Sequence, residues 1–143
     1  RLDRMPGLTA VRAPVLTRNT IFEGIRDRHC YAAAGERVLL RGTLAGAEFG
    51  QHVVLSNRDT PRKIEVIAAG KSDITSIDVI CNGETVHRMA PGDWQATLSW
   101  MDVAPLPSLP NSVEGCGHAA YYYVRVTLES GARAWSSPVW VHV

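Results

Sequence analysis

The sequence predicts a mainly β chain: an immunoglobulin-like antiparallel β-sandwich preceded by one α-helix. Three observations carry this. From Glu36 onward, short runs rich in β-branched and aromatic residues alternate with Gly, Pro, Asn and Asp. An Asn82-Gly83 pair sits between two alternating runs, the signature of a two-residue type I′ hairpin. Helical periodicity is confined to a single stretch near the start. At 143 residues the chain has the length of one domain, enough to bury about 68% of its unfolded surface.

The opening stretch, RLDRMPGLTAVRAP, has no hydrophobic periodicity and starts on Arg1, which reads as the continuation of a longer protein. The helix is expected from Thr17 to Arg28. Thr17 is an N-cap residue, Leu16 can staple onto Ile21, and Ile21, Phe22 and Ile25 make a narrow apolar stripe. Arg26, Arg28 and His29 suit the negative end of the macrodipole. A lone amphipathic helix needs a surface to cover its stripe, either the β-sandwich or a part of the protein outside this chain.

Strands are expected at Arg37 to Leu44, His52 to Leu55, Lys63 to Ala68, Ser76 to Cys81, Glu84 to Met89, Trp94 to Trp100, Ala120 to Leu128, Ala132 to Trp135 and Val139 to Val143. The Asn82-Gly83 turn sets a register of Cys81 opposite Glu84, Ile80 opposite Thr85, Val79 opposite Val86 and Asp78 opposite His87. In the hairpin YYYVRVTLESGARAW, Tyr122, Val124, Val126 and Leu128 share one face, and Tyr121, Tyr123, Arg125 and Thr127 take the other. Trp94, Ala96, Leu98 and Trp100 likewise share a face. The segment APLPSLPNSVEGCGH reads as a long loop, and Pro138 suits a strand start.

Charge and composition exclude several classes of function. A formal net charge of +1 implies no polyelectrolyte partner and argues against nucleic acid. No run reaches the roughly 18 apolar residues of a membrane helix. Cys30, Cys81 and Cys116 are widely spaced and fit neither a disulfide framework nor paired metal knuckles. Phosphate-cradling and nucleophile-elbow glycine spacings do not occur.

Four constellations could carry chemistry, and each also has a structural explanation. Asp27-Arg28-His29 offers two metal ligands, but two helical positions two apart point about 200° away from each other, so a solvated helix end is the simpler reading unless the helix ends before Asp27. Cys116-Gly117-His118 offers two ligands on a loop, without a second pair. Asp78 facing His87 resembles an acid–base pair, although cross-strand charge pairs are common on sheets. Finally, Trp94, Trp100, Tyr121 and Tyr123, with Trp135 and Trp140, could stack a ligand on a sandwich face, or simply pack.

Read in order, GLTAVRAPVLTRNTIFEGIRDRHCYAAAGERVLL, SIDVICNGETVH and YYYVRVTLESGARAWSSPVWV resemble the C-terminal part of a large bacterial family of unknown function. The main domain of that family is similar to the polymerase-and-histidinol-phosphatase (PHP) type of metal-dependent phosphoesterase. The resemblance implies that residues 1–35 are the tail of such a domain, including its last helix, and that residues 36–143 are an appended sandwich. It places the metal ligands upstream of Gly7, so that none carries over to a residue here. Any divalent metal then belongs to the preceding domain, the expected partner, and this chain holds no cofactor or catalytic site of its own. Ala33 and Ala34 depart from the hydroxyl residues expected after a Tyr-Ala pair. The sequence thus leads to a non-catalytic accessory module of a PHP-like hydrolase. The alternative is an immunoglobulin-like module binding a glycan or protein through exposed rings.

Overall fold

One strand of twenty residues, Arg62–Cys81, organises the whole molecule. The structure is a computed structural model and describes residues 5–107, 112–113 and 117–143. In chain order the elements are β1 (Met5–Val11), α1 (Arg18–Arg26), β2 (Cys30–Gly35), β3 (Leu39–Leu44), β4 (Ala47–Glu48), β5 (His52–Val54), β6 (Arg62–Cys81), β7 (Glu84–Met89), β8 (Asp93–Asp102), β9 (Ser112–Val113), β10 (Gly117–His118), β11 (Ala120–Leu128), β12 (Arg133–Ser136) and β13 (Val139–His142).

The sequence suggests two strands where the structure has the single β6. Its first half pairs with β3 on one side and β8 on the other, and its second half pairs with β11 and β7. Pairing is irregular between Ala69 and Ile74, where the partners change. Gly70 lies in this stretch, and a Cβ there would overlap the side chain of Leu128. Glycine therefore lets β11 close onto the bend, and the strand turns without breaking.

The sheet continues from β11 through β12 and β2 to β1, while β13 pairs with β11 and, in parallel, with β5. The result is the expected class, mainly β, with one helix among the described residues and a curled, largely antiparallel sheet consistent with a β-sandwich or half-barrel. Ile64, Val66 and Ala68 from the first half of β6 and Ile77 and Val79 from the second half lie in one core with Leu40, Leu98, Val124 and Val126. The strict burial alternation of β11 matches the expected faces, with Tyr122, Val124, Val126 and Leu128 inward.

β1 and β2 were not legible as strands. Tyr31 and Ala33 of β2 face inward, yet a single large side chain, Tyr31, followed by three alanines reveals no alternation, and the strand's place is set by backbone pairing with β12 and β1. Pro6 is tolerated in β1 because that strand is an edge. The expected division after Gly35 falls between β2 and β3, and Ala32 and Ala34 pair with Trp135 and Arg133. β1 and β2 are thus hydrogen-bonded into the same sheet as the strands that follow.

The helix is shorter than expected, ending at Arg26 with Asp27 as C-cap, because Arg28 adopts a left-handed backbone with φ of 60°. Thr17 caps the other end through a reciprocal box with Thr20. The expected staple is not made, since Leu16 is 91% exposed. Gly24 is the buried residue of α1, seated against Val11 and the Arg12 carbonyl. In the predicted loop, β9 and β10 pair with each other. Cys116 lies outside the described residues.

Candidate functional site

The Asn82-Gly83 turn forms as expected, with positive φ at both residues, and Cys81 and Ile80 pair with Glu84 and Thr85. Beyond that the register departs from expectation. A one-residue irregularity on β7 leaves Val86 without a partner, so that His87 lies opposite Val79 and Arg88 opposite Asp78. The expected Asp78–His87 pair therefore does not exist. Asp78 is buried and accepts from Arg88 Nε at 2.7 Å and from Arg125 Nη2 at 2.7 Å. Both arginines hold its carboxyl below the usual range against the opposing effect of burial. His87 turns inward and stacks on Trp100, ring centroids 4.5 Å apart. Neither residue is placed for proton transfer with the other.

A second polar cluster is enclosed in the core. Tyr122 donates to Asp102 Oδ2 at 2.7 Å, Arg62 Nη2 lies 3.0 Å from the same oxygen, and Arg62 Nε donates to Tyr122 Oη at 3.1 Å. Arg62 also donates to the carbonyls of Thr60 and Ala104. All three side chains are buried, so the cluster fastens β6, β8 and β11 rather than meeting a ligand. Burial pushes the Tyr122 phenol far above its ordinary value and raises the Cys81 thiol, making both inert.

The six rings singled out in sequence fall on two surfaces. Trp94 and Trp100 belong to the inward row of β8, with Trp100 stacked on His87 and Trp94 51% exposed at the end of the row. Tyr121 and Tyr123 lie together on the outer face of β11, their rings nearly parallel with centroids 6.5 Å apart. Strand pairing brings Trp135 and Trp140 to this outer face. Trp140 is opposite Tyr121, and Trp135 is opposite Arg125, and directly paired residues share a face. His52 of β5 is opposite Trp140 and stacks on it at 5.1 Å. His52 Nδ1 lies 3.0 Å from His142 Nε2, and Arg28 sits over the Trp140 ring at 5.3 Å. The outer face is thus a half-buried aromatic band ending in a cationic corner.

Beside that corner stands α1. Leu16 at 91%, Phe22 at 65%, Val15 at 56% and Ile25 at 50% exposure form an apolar surface that the sandwich does not cover. The early end of the helix frees Asp27 and His29 from helical spacing. Asp27, however, meets Arg26 Nε at 3.4 Å, and no group of three or more metal-ligating side chains occurs among the described residues. Among them, no helix is long and apolar enough to cross a membrane.

No family model matches the chain, and no solved structure matches it. Three chlamydial proteins do, each described as uncharacterised. The one from Chlamydia muridarum is 35% identical over 143 residues, covering 95% of this chain and 22% of that protein. The Chlamydia pneumoniae protein is 33% identical over 140 residues, covering 95% of this chain and 23% of its own length. The Chlamydia trachomatis protein is 33% identical over 142 residues, covering 95% and 22%. The chain therefore spans less than a quarter of these relatives and corresponds to a segment of larger bacterial proteins.

Proposed function

We propose that this chain is a non-catalytic accessory β-sandwich module that packs against the preceding domain of a larger protein through the apolar face of α1. The exposure of Phe22 and Ile25, one turn apart on α1, and of Val15 and Leu16 just before it carries this reading. A short helix that buries only a glycine against its own sheet gains little from folding onto it. Apolar side chains gathered on one surface are what a packing partner needs. The relatives' far greater length is consistent with such a partner in the same polypeptide. The resemblance noted in the sequence makes that partner a PHP-like metal-dependent phosphoesterase domain, with this module at its C-terminal side and residues 1–35 as the seam.

The test is twofold. The 143-residue chain alone is expected neither to bind a divalent cation at micromolar affinity nor to hydrolyse a phosphoester; either activity overturns the proposal. In the longer protein, Phe22 and Ile25 should be protected from solvent, as read by labelling of cysteines introduced there one at a time.

A second reading, a glycan- or protein-binding module, is favoured by one observation. Tyr121, Tyr123, Trp135 and Trp140 share the outer face and remain partly open to solvent. Loss of binding to a glycan array on Tyr123→Ala with Trp140→Ala would support it.

A further inference from the structure

We infer that the cleft between the end of α1 and β5 is a binding site for a tetrahedral oxyanion, the phosphate or sulfate group of a small ligand, held by Arg28, His29 and His52. The cleft is lined by Arg26, Asp27, Arg28, His29, Gly50, Gln51 and His52, with His142 behind His52. Its positive charge is balanced only in part, with Glu48 acting on His29 through charge alone. Asp27, the single carboxylate of the lining, is engaged by Arg26, and nearby Glu48 is engaged bidentately by Arg12. Among the described residues, no carboxylate lies within ion-pairing distance of Arg28, His29, His52 or His142.

Arg28 is preorganised for this role. It occupies the position after the helix cap where the backbone is left-handed, a place that glycine fills without strain and other residues fill at some cost. Capping therefore does not explain an arginine here. Its Nε donates to the Gly50 carbonyl at 2.8 Å and its guanidinium lies over Trp140, which fixes the side chain. Both Nη groups make no hydrogen bond among the described residues, and they are the donors a bidentate oxyanion uses. Gly50, with φ of 97°, has no Cβ to obstruct the Arg28 backbone packed against it.

The C-terminal end of a helix ordinarily repels anions. Here the Glu23, Gly24 and Ile25 carbonyls already accept from the N–H groups of Asp27, His29 and Arg28. The negative end is closed, and the side chains set the field. Burial first, then the charges of His142 and Arg28, lower the pKa of His52. An anion seated beside it removes part of the penalty. The groups facing His52 are Arg28 from the helix end, Trp140 and His142 from β13, and Gln51 beside it, with His29, Arg26 and Asp27 completing the cleft.

Sulfate is the suitable probe, because its charge is constant from pH 5 to 8 and any pH dependence is then the protein's. The histidine resonances of the 143-residue chain are followed by NMR as sulfate replaces chloride at constant ionic strength. Saturable shifts of His52 and His29 are expected, with affinity falling by roughly tenfold per pH unit above the titration of His52. Arg28→Gln should weaken binding by about tenfold or more. Since Arg28 also ties the helix to Gly50, His29→Gln serves as the second variant. Its ring makes no hydrogen bond among the described residues, and the change should weaken binding severalfold without unfolding. Shifts that fail to saturate, or affinities unchanged in both variants, overturn the inference. The outcome is independent of what covers the apolar face of α1.

Discussion

The hydroxyl of Tyr122 donates to the carboxylate of Asp102 in a part of the core that water does not reach, and Arg62 touches both. Removing the carboxylate leaves a buried guanidinium without its counter-charge. Asp102→Ala is expected to cost about 3–5 kcal/mol, as breaking a buried pair usually does. Urea denaturation measures this, and a loss under about 1 kcal/mol would mean that Arg62 finds another partner.

The same cluster fixes an alkaline limit. The Tyr122 phenol is raised above its ordinary value of 10.0, so the unfolded chain gives up this proton before the folded one does. Stability from this group is complete below that value and is lost as pH rises above it. Tyr122→Phe should be less stable at neutral pH yet show a flatter decline above pH 10 in thermal melts.

His52 sets the opposite limit. Its pKa is lowered from an ordinary value of 6.5, so its contribution is present above that value and is lost as pH falls through the folded value. His52→Gln should flatten the melting temperature between neutrality and pH 5.

Gly50 tolerates no side chain. Its φ of 97° and the Arg28 carbonyl against it imply that Gly50→Ala costs at least about 1–3 kcal/mol. Loss of the Arg28 contact should also weaken any anion bound in the cleft. A melt within 1 °C of the parent chain contradicts the close approach.

Phe22 and Ile25 separate the roles of fold and interface. In the 143-residue chain the double alanine variant is expected to change stability by no more than about 0.5 kcal/mol, because both side chains face solvent. In the longer protein the same change should increase proteolysis at the seam. A large loss in the isolated chain indicates that these side chains pack on the sandwich itself.

Legibility in the sequence followed the range of the interaction. The Asn82-Gly83 turn, the Thr17 cap and the alternation of β11 depend on neighbouring residues and were read directly. The bulge at Val86 was not, because it follows from where His87 and Arg88 find partners, on Trp100 and Asp78. β2 was invisible because alanines pair through backbone alone. The aromatic set was half legible: its six rings stand out in the sequence, but strand pairing alone divides them, with Trp135 and Trp140 beside Tyr121 and Tyr123 and with Trp94 and Trp100 on β8. The His52–His142 contact joins residues 90 apart through a parallel pairing that no local pattern announces.

Because β6 belongs to both halves of the curled sheet, its backbone ties the two halves together. The halves share one core as well as one strand, so hydrogen exchange in β3 and β11 should report one common opening event. Closure also waits on contacts far apart in sequence, such as Arg62 with Tyr122, and folding should accordingly be slow for a chain of this size.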